Sequence, residues 1–168
     1  MTEKLCERYS VKAYKDTPVP KEILDKIIKA GTCAPTGRNL QSPIILAVTD
    51  KKMRDKLSRM NAEILGTDTD PFYGAPVVLV VLAKKDVNTY LYDGSLVMGN
   101  LLNAAHFLGL GGCWIHRAKE MFETKEGKDI LLSLGITEEY EGIGNCVIGY
   151  PSQTGAPKPK KENYVYYI

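Results

Sequence analysis

Apolar residues recur along this chain in two rhythms, one helical and one short and continuous, and the rhythms divide it into elements. Over 21–33, Ile23, Leu24, Ile27, Ile28 and Ala30 fall at helical spacing, which predicts a helix with one buried face. Residues 50–65 repeat the pattern with Met53, Leu57, Met60 and Ile64. Residues 2–8 read as a shorter helix. The run 76–83 is apolar on both faces and rich in valine, so it is expected as a central strand. Further strands are expected at 44–49, 113–115 and 145–150. Nearly every position of 96–108 is apolar, the pattern of a helix packed on all sides, with Asp93 or Ser95 as its N-cap. It is too short to span a bilayer, which takes about twenty residues. Residues 118–134 are expected to be helical, broken near Gly127 and closed by Gly135.

Two polar stretches interrupt this framework. The loop 34–43 carries two prolines and a glycine, and such loops often carry sites. The tail 151–161 holds three prolines and several lysines and should be extended, before a strand-like aromatic end at 163–168. A bare apolar terminal strand invites aggregation unless it is paired. An arm that delivers this strand to another subunit's sheet would pair it. No internal repeat or second composition regime appears, so a single domain over 1–168 is expected.

Composition narrows the function classes. At 168 residues the chain can bury a real core. Its net charge of +2, with no basic stripe interleaved with aromatics, argues against nucleic-acid binding. No apolar run follows Met1-Thr2-Glu3-Lys4, so no signal peptide, no membrane association and a cytoplasmic location are expected. The four cysteines Cys6, Cys33, Cys113 and Cys146 are scattered, which fits neither a disulfide framework nor a zinc knuckle. Cys113, His116 and Cys146 make a poor metal set, because a structural site wants four ligands in closer pairs.

Candidate chemistry gathers in two places. Arg8, Ser10 and Lys12 share one face if their segment is extended. Two cations flanking a hydroxyl fit a phosphate clamp, although the spacing alone favours a solvated polar edge. Gly109, Gly111 and Gly112 then precede Trp114, the only tryptophan, and a glycine run lets another group approach the backbone closely. This run is not a dinucleotide fingerprint, since it follows a helix and has Trp in its sixth position. There is no Gly-x-Ser-x-Gly elbow. His106 reads as a core histidine, and His116 as a surface residue or a site residue with no choice between them. Without an acid, base or nucleophile, a bound cofactor is the natural source of any chemistry.

Four motifs in order then resemble the FMN-dependent nitroreductases. Arg8-Tyr9-Ser10-Val11-Lys12 resembles their opening Arg-x-Ser-x-Arg/Lys, and 34–41 resembles their Ala-Pro-Ser-x-x-Asn-x-Gln loop. Residues 93–115, ending Gly-Leu-Gly-Gly-Cys-Trp-Ile, are similar to the central helix and turn of short members, and 157–161 to their closing Pro-basic segment. The resemblance implies an α+β fold with a mixed, mainly antiparallel sheet surrounded by helices, and a homodimer with exchanged C-terminal arms. It further implies that Arg8, Ser10 and Lys12, helped by Lys160, hold the phosphate and ribityl end of FMN, with Tyr9 among the cofactor-binding residues although many members have a second Arg or a His there. Pro35, Thr36 and Asn39 would come from the other subunit, and Trp114, Ile115 and His116 would lie by the flavin ring, with a backbone N–H near its N5. No catalytic side chain and no metal are implied. The implied activity is ping-pong electron transfer from NADH or NADPH to a nitroaromatic, quinone or similar acceptor. A flavin store or redox sensor without turnover is the alternative, and a purely structural dimer a third. Lys160 stands where the family often has Arg, and Lys loses the bidentate fork. No residue between Asn61 and Tyr73 stands out as a ring contact.

Overall fold

The computed structural model describes residues 2–168. Helices α1 (Thr2–Glu7) and α2 (Lys21–Thr32) precede strand β1 (Pro43–Val48), helix α3 (Lys51–Leu65) and strand β2 (Val77–Lys84). Helix α4 (Tyr90–Phe107), strand β3 (Gly111–Ile115), helices α5 (Ala118–Glu123) and α6 (Lys125–Ser133), and strand β4 (Tyr140–Gly149) complete the framework. The strands form one antiparallel sheet in the order β1-β2-β4-β3.

The valine-rich run becomes β2, central as its composition predicts. Successive strand residues face opposite sides, so Leu79 and Val81 pack toward Ile27 of α2 and Leu101 of α4. Val78, Val80 and Leu82 pack toward Leu57 of α3 and Met121 and Phe122 of α5. Helices therefore cover both faces. The sheet is antiparallel throughout its named strands, and only an isolated parallel bridge, Ser10 with Gly112, adds a mixed element.

Several expectations are corrected. Helix α4 starts earlier, at Tyr90, with Thr89 as an N-cap whose side chain makes no capping bond. Asp93 lies inside the first turn and is buried. Ser95 instead donates to the Leu91 carbonyl at 2.6 Å. Nor is α4 packed on all sides within one protomer, because Leu91, Tyr92 and Leu96 are exposed. The 118–134 segment breaks at Thr124, three residues before Gly127, where an extended residue caps α6 by accepting from Gly127 N at 3.0 Å. Strand β4 begins five residues before the expected 145, at Tyr140, through Gly142 and Gly144. The terminal segment 163–168 forms no strand within the protomer, and Tyr164 to Ile168 are exposed. Among the described residues no helix is long and apolar enough to cross a membrane, and no group of His, Cys, Asp or Glu is arranged to hold a metal ion.

Candidate functional site

The segment after α1 is laid along the free edge of β3. Val11 N donates to the Gly112 carbonyl at 3.2 Å and Lys15 N to the Tyr150 carbonyl at 2.8 Å, while Ser152 N donates back to Ala13 at 3.0 Å. This pairing makes the segment extended, so its side chains alternate. Val11 turns inward and is buried, while Ser10 and Lys12 face out and Arg8 is half-buried. A Cβ on Gly111 would run into the Val11 side chain, so this glycine makes room for the strand-edge segment. Gly109 has φ 79°, the left-handed exit from α4. Gly112 lies against Leu102. The close approach to this glycine run is thus made largely by the protein itself. The three glycines line only a hollow of about 210 Å³ with Arg8, Tyr9 and His106.

The extended segment, β3 and the tail enclose a larger cavity of about 710 Å³. Its walls include Arg8, Tyr9, Ser10, Lys12, Cys113, Trp114, and the tail through Lys158 and Lys160. Four cations and no carboxylate line it. None of those four makes an ion pair among the described residues. Such a donor set suits a phosphate dianion, with a guanidinium able to bind two oxygens and a hydroxyl beside it. The volume is that of a cofactor or small-molecule site.

A second cavity of about 250 Å³ adjoins the first at Lys12, Cys113 and Trp114. Ile115, His116, Arg117, Asn61, Thr69 and Tyr73 form much of its wall. Trp114 is 36 % exposed and Tyr73 37 %, so both present ring surface outward. The Lys12 ammonium lies 5.7 Å from the centre of the Tyr73 ring. Burial pushes the Cys113 thiol up, against the opposing pull of Ser10, Lys12 and Arg8. A thiol held protonated in this way is a poor nucleophile. Burial also raises the Tyr14 phenol, whose hydroxyl donates to the Val11 carbonyl at 2.8 Å and braces the extended segment.

Of the residues singled out from sequence, Arg8, Tyr9, Ser10, Lys12, Trp114 and Lys160 meet around the larger cavity, and Ile115 and His116 around the smaller one. Pro35, Thr36 and Asn39 line neither cavity of this protomer. They form a tight turn after α2 in which Thr36 Oγ1 accepts from Gln41 N at 3.1 Å, and Asn39 has φ 56°. Sequence reasoning missed Asn61, Arg117 and Gln153 to Lys158 as cavity walls. Only the fold brings these together, although the basic tail was already notable by composition.

The Nitroreductase family matches residues 5–70. A provisionally named NADH dehydrogenase/NAD(P)H nitroreductase of Methanothermobacter thermautotrophicus is 29% identical over 160 residues, covering 90% of this chain and 77% of its own length. An FMN reductase [NAD(P)H] of Bacillus subtilis is 25% identical over 173 residues, covering 93% of this chain and 68% of its own. Among solved structures, an FMN-bound nitroreductase from Bacteroides fragilis superimposes with a TM-score of 0.90 at 24% identity, over 99% of this chain and 97% of that one. An FMN-dependent nitroreductase from Clostridium difficile gives 0.83 at 28%, over 99% and 98%. The chain has the nitroreductase-like α+β fold.

Proposed function

We propose that the protein is an FMN-dependent oxidoreductase that moves electrons from NADH or NADPH to a nitroaromatic, quinone or similar acceptor. The observation that carries this reading is the acid-free cavity of Arg8, Ser10, Lys12, Lys158 and Lys160 beside Trp114. Relatives of this fold named for FMN and NAD(P)H support it. When bound there, FMN supplies two-electron chemistry, reduced by the nicotinamide and reoxidised by the acceptor in ping-pong order.

The chain's own residues bind and orient. Arg8, Ser10 and Lys12 hold the phosphate and ribityl end, with Tyr9 beside them and Lys160 closing over it from the tail. Trp114, Ile115 and His116 flank the ring, which extends from the larger cavity toward the second one at their shared wall of Lys12, Cys113 and Trp114. No side chain need titrate for this chemistry, and none near Trp114 is arranged as a nucleophile with its base.

The unit we propose is a homodimer. Leu91, Tyr92 and Leu96 form an exposed apolar strip on α4, and the tail ends in five exposed residues, Tyr164 to Ile168. Exposed apolar surface of this kind marks association. A second copy would bring Pro35, Thr36 and Asn39 toward the flavin and pair the terminal segment with a sheet edge. Four free cysteines, two of them exposed, suit a reducing compartment such as the cytoplasm.

Purified protein tests the reading directly. A yellow flavin spectrum is expected, bleached by NADH or NADPH and restored by a quinone or nitroaromatic. Bleaching that fails would leave a passive flavin binder, and protein that cannot be loaded with FMN would refute the reading altogether. Loss of the charge-assisted bonds in Arg8→Ala or Lys12→Ala should weaken FMN binding about 10- to 100-fold, measured by quenching of flavin fluorescence.

A further inference from the structure

We propose that Asn61 and Asn145 are positioning residues that lock the His116–Arg117 peptide, holding the Arg117 N–H out as a fixed donor to the flavin. This rests on the FMN reading and deepens it. Both asparagines are fully buried, at 0 % exposure, Asn61 on α3 and Asn145 on β4. Asn61 Nδ2 donates to the His116 carbonyl at 2.8 Å. Asn145 Nδ2 reaches the same carbonyl and that of Ile115, each at 3.4 Å. A carbonyl only accepts, so the amide nitrogens must be the atoms turned toward it. The two amides also meet at Met121 Sδ, at 3.2 and 3.5 Å. Side chains from separate helix and strand thus converge on one peptide at the end of β3.

Peptide geometry gives the consequence. A trans peptide is planar, and its C=O and N–H point to opposite sides. The chain contains no cis bond among the described residues. Asn61 lines the same cavity as Trp114, Ile115, His116 and Arg117. A His116 carbonyl held by Asn61 turns the Arg117 N–H to the opposite side of the peptide, and Arg117 itself lines this cavity. Among the described residues no backbone acceptor takes this N–H. The Arg117 carbonyl in turn accepts from Met121 N at 3.0 Å and starts α5. Arg117 has φ 73°, a left-handed conformation that costs a residue with a Cβ and persists only where its surroundings impose it.

Packing alone does not account for two amides here. Asn61 Oδ1 and Asn145 Oδ1 are both buried with no protein partner, a liability that leucine of similar volume would remove. What leucine cannot do is donate to the His116 carbonyl. A donor fixed in place before the ligand arrives loses no ordering on binding, which is why such preorganisation acts on affinity and on the electronic state of the group it contacts.

The test uses full-length Asn61→Leu and Asn145→Leu, with inorganic-phosphate-free protein titrated with FMN. Three quantities are read: the FMN dissociation constant, the visible absorption maxima of the bound flavin, and the unfolding midpoint of the flavin-free protein. We expect the dissociation constant to rise about tenfold for Asn61→Leu and less for Asn145→Leu, whose bonds are longer. The flavin bands should shift, while the flavin-free midpoint stays level or rises. Unchanged affinity and spectrum would overturn the proposal, as would weaker binding that only tracks a lower midpoint. Should Asn61→Leu not fold, Asn61→Ala and Asn145→Leu carry the same measurement. Wild-type protein that takes up no FMN sinks the functional reading and this proposal together, whereas wild type and variants binding alike sink the proposal alone.

Discussion

Asp93 shows how one buried carboxylate can hold two distant parts of the chain together. It is 2 % exposed and accepts from Gly37 N at 2.9 Å, Ser42 Oγ at 2.9 Å and Thr89 Oγ1 at 3.0 Å. Its partners Gly37 and Ser42 bracket the turn that contains Asn39, so the carboxylate fixes that turn against α4. Asp93→Ala would leave buried donors unpaired and should cost about 2–3 kcal/mol, measured by denaturant unfolding, with loosened 36–42 amides in hydrogen exchange. Asp70 plays a similar role in the loop before β2. Burial works to raise its pKa, but bonds from Arg54, Ser58, Gly74 N and Phe72 N together lower it. A carboxyl whose folded pKa is depressed contributes stability above its unfolded value, about 3.9, and loses it as pH falls through the folded value. The stability gap between wild type and Asp70→Asn should therefore persist at neutral pH and close below about pH 4, read from urea unfolding at stepped pH. Sequence could identify Asp93 only as a local cap, since the groups that claim it lie 51 and 56 residues away.

At the scale of elements, β4 shows why glycine in a strand need not be a weakness. A Cβ on Gly142 would collide with the Ala118 backbone, and one on Gly144 with the Trp114 indole. The strand is thinned where α5 and Trp114 cross it. Between the pairs Val81–Gly144 and Leu82–Gly142, Ile143 is the extra residue of a bulge. Its side chain packs where Gly94 of α4 lacks one. Because the Gly142 neighbour is backbone and cannot step aside, Gly142→Ala should destabilise by about 2–3 kcal/mol and lower the unfolding midpoint by about 5–10 °C, measured by calorimetry. The break between α5 and α6 is milder in consequence. Thr124→Ala removes the cap on Gly127 N and should cost about 1 kcal/mol. The glycines of β4 disguised its first half from a reading based on apolar runs, because their reason lies in elements from other parts of the chain.

For the whole molecule, a single protomer leaves one apolar face of α4 uncovered, at Leu91, Tyr92 and Leu96. Tyr92, Leu96 and Gly99 fall on one face by helical spacing, and nothing in the protomer lies within 4 Å of a Cβ placed on Gly99. An uncovered helix-interior glycine is improved by alanine by about 0.5–1 kcal/mol. A glycine against which a second copy packs closely is not. With the dimer we propose, Gly99→Leu should weaken self-association at least tenfold in sedimentation and release FMN in parallel, since Pro35, Thr36 and Asn39 would be withdrawn. Removal of residues 164–168 should likewise weaken the dimer and lower the unfolding midpoint at a fixed protein concentration.

The sequence by itself determined what depends on near neighbours and on composition. Valine-rich 76–83 had to be a buried strand, 21–33 and 50–65 had to be one-faced helices, and Arg8, Ser10 and Lys12 had to share a face once extended. The tertiary structure alone decided that this segment lies along β3, because that depends on Val11 finding the gap at Gly111. It also decided that Asn61 and Asn145 converge on a single carbonyl. Periodicity records which way a residue faces along its own element. It holds no record of which distant residue will be there to meet it.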